Sequence, residues 1–310
     1  MPANQITRSI SWLFGIVMPP NRRLTRSIFR LLRAVRPLME AVQTLTWDTG
    51  DSPVPIVRRA MIVRQYDSLM AITWMVKRHL GYATVPLLRP ACEELLWAKY
   101  IGKINEDQAA TLISCSLAQE VLRTLKAQEA YWGSTASEAC GLGPALELYS
   151  ALQPQARLEL TALGKALGWP SRAVKEGRPP SARYIAEQTD SVALYDFLYH
   201  ATSQFVHYSP HQLFRRAWGQ PGSLIIQSSH VEEYYGIFAL KWGTHLFMQT
   251  LLSVQDSLPS DVDADYSQAL DIVKRLYDSE PVMIIGPEEL YWPDSPLEHQ
   301  PNDSFNPTPR

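Results

Sequence analysis

Long stretches of this chain repeat apolar residues every three or four positions, and prolines and glycines fall between the stretches. Leu24, Ile28, Leu31, Leu32, Val35, Leu38, Met39 and Val42 form the first such stripe. That period matches a helix with one face turned to a core, whereas the alternation of a half-buried strand is scarce. Hydrophobic residues make up 46% of the 310-residue chain and charged residues only 19%, below the usual ~25%. The predicted fold is all-α, a single-domain array of about eight to ten helices with a large buried core.

The stripe at the start predicts a helix from Asn21 to about Leu45, kinked at Pro37. Pro55 and Gly81 predict the start and stop of a second helix, with Lys77, Arg78 and His79 in its last turn. A third ends near Ile101, and Asn105 caps a fourth that ends at Trp132-Gly133. Residues 133–143 read as a loop, followed by short helices at 144–152 and 155–167. Residues 168–181, rich in Pro and Gly, read as a linker-like excursion. Helices resume at 182–188 and 191–208, and Leu224-Ile225-Ile226 reads as a short strand or an extended plug. Ser229 with Glu232 predicts a capping box opening a helix to about Ser257, and Ser260 opens another to about Asp278. Seven prolines between Pro281 and Pro309 exclude helix there. The expected organisation is a peripheral segment 1–20, a helical domain 21–279 and a Pro-rich acidic tail 280–310.

A net charge of −2 argues against a general nucleic-acid binder, but the charge is unevenly spread. Residues 1–36 hold seven arginines and no acid, and residues 278–310 hold seven acids and one arginine. Arg22, Arg26, Arg30 and Arg33 form a basic stripe on the first helix. It reads as a solvated face or as a contact for an anionic partner, either nucleic acid, anionic lipid or an acidic protein surface. Cys92, Cys115 and Cys140 are too far apart for a C-x-x-C site, so reduced thiols and a cytoplasmic location are expected. The apolar run Trp12 to Met18 is far shorter than the ~20 residues of a membrane span. No phosphate-loop signature surrounds Gly141-x-Gly143.

The segment Ser191–Ser209 holds one formally charged residue, Asp196, in nineteen. A helix with a solvated face carries several, so this one is expected to be enclosed on most sides. On an ideal helix, Asp196, His200, Ser203 and His207 share one stripe, opposite Leu194, Phe197, Leu198, Ala201 and Phe205. Polar groups removed from water need partners. Arg89, Glu93, Trp97 and Tyr100 line one side of the third helix and offer them. The expectation is that Arg89 and Glu93 meet the His200/Ser203/His207 stripe across a helix–helix interface.

The run Arg-Pro-Ala-Cys-Glu-Glu-Leu-Leu-Trp-Ala-Lys-Tyr-Ile at 89–101 resembles the R-x-x-x-E…Y-I helix of an uncharacterised bacterial all-helical family, a domain of unknown function. Tyr199-x-x-x-Ser203-x-x-x-His207-x-Ser209 is similar to that family's Y-x-x-x-S-x-x-x-H-x-S signature. The resemblance implies a polar site between paired helices, and by analogy a defence or mobile-element context such as phage defence. It implies no reaction.

Arg89, Glu93, His200, Ser203 and His207 are therefore the candidate site, and three readings stay open. They form a structural network that fixes helix register. Or His207 is a general acid/base, oriented by Glu93 or Asp196, with Arg89 holding a phosphate and Ser203 as nucleophile. Or His200 and His207 ligate a metal with Glu93 or Glu94. The R-x(4–6)-H motif of small helical ribonucleases and the E-x-x-H pair of di-iron bundles are both missing. The expectation is thus a binding or regulatory module without metal or cofactor, with a phosphoryl-directed, RNase-like hydrolase as the alternative.

Overall fold

The computed structural model describes residues 21–259, except 45, 47, 49, 221 and 222, and also residue 284. The expected segments 1–20, 260–278 and 280–310 lie outside this range, apart from residue 284. The chain is one all-α array, with eight α-helices of seven residues or more among the described residues. In chain order they are α1 (Asn21–Gln43), α2 (Val54–Lys77), α3 (Leu88–Lys103), α4 (Glu106–Trp132), α5 (Ser134–Ala139) and α6 (Gly143–Ala166). Then follow α7 (Ser171–Glu176), α8 (Ala182–Gln188), α9 (Val192–Leu194), α10 (His200–Val206), α11 (Pro210–Phe214) and α12 (Ser229–Ser253). A two-stranded antiparallel hairpin, β1 (Ala217–Gln220) and β2 (Ser223–Ile226), precedes α12, with Ala217 opposite Ile226.

Two apolar cores share α3 as a common wall. The first gathers α1, α2, α3 and α12 around Ile28, Leu31, Ile62, Leu69, Leu88, Leu95, Phe238 and Phe247, all buried. The second gathers α3, α4, α6, α7 and α8 around Leu96, Tyr100, Leu112, Leu160, Trp169 and Ile185. Buried polar groups tie the walls together. Gln65 on α2 donates to the Ala91 carbonyl of α3 at 2.9 Å, and Trp169 donates through Nε1 to the Tyr100 hydroxyl at 2.7 Å. The eight apolar positions read in the α1 stripe are all buried.

Local chemistry explains where elements start and stop. Asn105 accepts from the Gln108 amide at 2.9 Å while the Gln108 side chain accepts from the Asn105 amide at 3.2 Å, a reciprocal cap on α4. Helix α2 does not end on Gly81. It ends with His79 at φ 60°, where the Leu80 amide returns to the Met75 carbonyl at 2.9 Å and His79 to Val76 at 3.2 Å. Gly81 serves close packing instead, since a Cβ there would lie 2.1 Å from the Glu232 carbonyl oxygen of α12.

Several expectations are corrected. Pro154 lies inside the continuous helix α6, so 144–152 and 155–167 are one helix, while Pro37 lies inside α1 as expected. Both prolines are exposed, where water satisfies the carbonyl that each leaves free one turn earlier. The expected loop at 133–143 contains α5, and the excursion 168–181 contains α7 and buries Trp169 and Ala173 in the second core. Residues 224–226 lie in strand β2 and are no plug, because Ile226 is 81% exposed. The Ser229–Glu232 box is not formed. Glu232 faces His79 at 3.3 Å instead, and the cap residue Ser228 makes no side-chain cap.

The crossing of Gly81 against α12 gives a direct test. Gly81→Ala pushes a Cβ into backbone that no side-chain rotation relieves, and a loss of ~2 kcal/mol or more is expected in denaturant unfolding. Gly50→Ala, where nothing lies within 4 Å, is expected to leave stability nearly unchanged.

Candidate functional site

Helix α3 carries Arg89 and Glu93 one turn apart, and Arg89 Nη1 donates to Glu93 Oε2 at 2.9 Å. The rest of the guanidinium reaches across to the segment between α9 and α10. Its Nε donates to Ser203 Oγ at 2.8 Å, its Nη2 donates to the Tyr199 hydroxyl, and its carbon lies 3.5 Å from the Tyr199 ring centroid. Ser203 in turn donates to the Tyr199 backbone carbonyl. Each guanidinium nitrogen is therefore engaged within the protein, and the Arg89 side chain is only 18% exposed. This planar fork joins two helices by charge-assisted hydrogen bonds and stacking, which a lysine cannot reproduce.

The structure brings Arg89, Glu93, Tyr199 and Ser203 together but leaves His200 and His207 outside. Both histidines are exposed, and neither bonds to Arg89 or Glu93. His200 packs edge-on to Tyr195 and Tyr199, and Asp196 pairs with Arg183 on α8. The expectation of a helix enclosed on most sides is overturned, because Ala193, Asp196, His200, Gln204 and Val206 are exposed. A π-helical turn at Tyr195–Tyr199 also breaks the ideal stripe between Asp196 and Ser203. An i→i+5 turn inserts one residue relative to the α-helix, and so rotates everything after it by roughly 100°. Helix α10 then ends at Val206, and His207 is extended at φ −102°, ψ 162°. No propensity signal in 195–199 announces that turn.

His207 opens instead on a cavity of about 150 Å³ between α10, α11 and the start of α12. Tyr82, Ser209, Arg215, Arg216 and Tyr235 line it with His207. Arg215 is buried, lies over the Tyr235 ring at 4.8 Å and donates to the Ile284 carbonyl at 3.0 Å. Arg216 is exposed and lies 5.5 Å from the Tyr82 ring centroid. Ser209 caps α11 by accepting from the Gln212 amide at 3.4 Å. The sequence reading missed both arginines, although the Arg215-Arg216 pair stands six residues beyond the Ser209 that ends the signature.

On the first helix Arg26, Arg30 and Arg33 are exposed, and Arg36 pairs with Glu40 at 2.7 Å. The Arg22 side chain lies outside the described residues. Among the described residues no group of three or more His, Cys, Asp or Glu is placed to hold a metal ion, and no helix is long and apolar enough to cross a membrane.

Burial shifts several groups near Arg89. Burial, with the Glu93 carboxylate adding to it, raises the Tyr199 phenol above its ordinary value. Glu94 faces Arg64 at 2.8 Å, yet burial outweighs that cation and pushes its carboxyl up to about 7. Burial likewise pushes the Cys92 thiol up to about 12, which keeps it protonated and inert.

Two tests follow from this geometry. Arg89→Lys is expected to cost ~1–3 kcal/mol in chemical denaturation, because Ser203 and Tyr199 lose a donor that no water replaces well. Glu94 holds its proton more tightly when folded, so its contribution is complete at low pH and is lost as pH rises from about 4.5 towards about 7. Glu94→Gln is therefore expected to gain in melting temperature relative to the parent as pH rises from about 4 to about 8. A difference that stays flat across that range would show that Glu94 ionises alike in both states.

No curated protein and no solved structure matches the chain. A family model does match, over residues 56–222, which is more than half of the chain. The match begins in the first turn of α2 and runs past the end of β1. The region it covers includes Arg89, Glu93, Tyr199, Ser203, His207, Arg215 and Arg216, and the chain belongs to that family, a family of unknown function (DUF5677).

Proposed function

We propose that the chain is a binding or regulatory module that recognises an anionic group, with RNA phosphate the first ligand to test, in the cavity beside His207. The observation that carries this reading is the convergence of His207, Arg215 and Arg216 on one partly enclosed space of about 150 Å³. That volume is below the ~300 Å³ of a site that swallows a whole small molecule. It suits a single charged group whose remainder lies outside. Arginine with aromatic faces beside it is the chemistry that holds a phosphate and a neighbouring base.

Binding without turnover fits the hydroxyl groups nearby. The Ser203 hydroxyl donates to the Tyr199 carbonyl and Ser209 caps a helix, so neither is paired with His207 as an activated nucleophile would be. Arg89 is spent on internal partners and takes the part of a helix tie. The exposure of His207 on the cavity favours a second reading, phosphoryl-directed hydrolysis with His207 as acid/base and Arg216 in the phosphate role first assigned to Arg89.

A labelled single-stranded RNA oligonucleotide separates the readings, with anisotropy for binding and a denaturing gel for integrity. The expected result is salt-dependent binding of intact RNA, weakened about fivefold in Arg216→Gln with a shallower salt slope. Cleavage that disappears in His207→Ala while the melting temperature holds would move the assignment to the hydrolase. No binding and no cleavage at low salt would reject both.

A further inference from the structure

A second cleft, of about 260 Å³, opens at the other end of α3. Arg58 of α2, Lys99, Gly102 and Lys103 of α3, Thr189 after α8, and Ser253 and Asp256 at the end of α12 line it. Lys99 and Lys103 are one helical turn apart and face the same way. Gly102 lies between them without a side chain, so the floor is open. A Cβ there would approach Arg58 Nη2 at 3.6 Å and the Ser253 carbonyl at 4.0 Å, so alanine fits and a larger side chain fills the space.

Two of the three cations in this cleft, Arg58 and Lys99, are held by neutral groups. Arg58 donates to Ser257 Oγ at 3.0 Å and to the Ser253 carbonyl at 2.7 Å, and its Nε is buried without a hydrogen-bond partner. Lys99 donates to Ser191 Oγ at 3.1 Å. Lys103 donates to the Gln188 carbonyl and has Asp190 at 3.5 Å, but that carboxylate is 93% exposed. Asp256 lines the cleft yet pairs with none of the three cations. Partly buried cations ordinarily sit against a carboxylate. Here three cations border one open space with Asp256 in the lining and Asp190 beside Lys103, and the positive excess suits an anion. Burial, with the charge of Lys103 adding to it and Asp190 opposing it, lowers the Lys99 ammonium below its ordinary value, and a further anion would oppose that shift.

We propose that this cleft is a phosphate-group site, with Arg58 and Lys99 as fixed donors and Lys103 closing over the ligand. A tetrahedral dianion matches three convergent cations better than a carboxylate does, and the volume admits the phosphate together with part of an ester. The site shares no lining residue with the cavity beside His207, so either can fail alone.

The test is calorimetric titration of the full chain with inorganic phosphate and, separately, with a nucleoside monophosphate, at constant ionic strength. Saturable binding is expected, about tenfold weaker in Lys103→Gln and lost in Gly102→Leu. Arg216→Gln should leave the Lys103-dependent binding as in the parent. Tighter binding of the ester than of phosphate would identify a phosphorylated metabolite as the natural ligand, and equal binding would identify the free ion. Lys103 is half-exposed, so its variant should stay folded even if Gly102→Leu does not. The proposal is overturned if no heat of binding is seen up to about 10 mM phosphate, if Lys103→Gln binds as tightly as the parent, or if Arg216→Gln alone abolishes binding.

Discussion

Helix α3 is covered on two sides by apolar cores, and the rest of the molecule is arranged around that double burial. Leu88, Ala91, Cys92, Leu95 and Ala98 face the first core, and Leu96 and Tyr100 face the second. Little of the circumference is left for polar groups, so they emerge only at the seams where other helices meet α3. Arg89 and Glu93 emerge at one end, where α10 crosses, and Lys99 and Lys103 at the other, near the turn after α8. A charge at a seam is half-desolvated wherever it points, and so must find donors or acceptors on the neighbouring element. Arg89 finds two there, Ser203 and Tyr199, and becomes a tie. At the far end Arg58 and Lys99 find hydroxyls and carbonyls while Lys103 meets the exposed Asp190, so the cleft keeps an excess of positive charge.

The π turn at Tyr195–Tyr199 is the second constraint, and it follows from the first. Two residues of this turn must meet different partners at once: Leu198 is buried in the first core and Tyr199 takes the Arg89 guanidinium. An α-helix of ordinary pitch sets successive side chains about 100° apart. The wider turn relaxes that spacing and stacks Tyr195 on Tyr199 at 4.5 Å between ring centroids. The inserted residue then carries the end of α10 around, so that His207 turns from α3 towards the arginines that follow it.

How much of this was legible depends on the range of the interaction. Local patterns could be read directly. The α1 stripe, the Asn105–Gln108 cap and the second helix's start near Pro55 are settled by residues within a turn of one another. The pairing of Arg89 with Ser203 was also legible, because a stripe of polar residues in an almost uncharged helix demands a partner. What could not be read depends on distant atoms. Exposure decides whether Pro154 breaks a helix, and exposure is a property of the packed molecule. Gly81 looks like a stop until α12 is laid against it, and Glu232 looks like a cap until His79 is seen beside it. The phosphate cleft assembles Arg58, Lys99, Lys103, Thr189 and Ser253 from four separate segments, with no spacing that links them.

The extent of the family match adds a last step. It covers residues 56–222 and so omits α1 and α12, although the first core is built as much from those two helices as from α2 and α3. Both cavities straddle that line. Beside His207 the charges come from within the matched region, while Ser228, Val231 and Tyr235 supply the opposing wall from beyond it. In the other cleft Arg58, Lys99 and Lys103 lie within it, while Ser253 and Asp256 come from the end of α12. Charge and shape thus have separate origins in this chain. In the two proposed sites the matched region carries the cations, and α12 closes the space beside them. Substitutions on the exposed rim of α12 would therefore alter ligand choice without touching a single cation, whereas a substitution at Lys103 or at Arg216 would weaken anion binding at its own site alone.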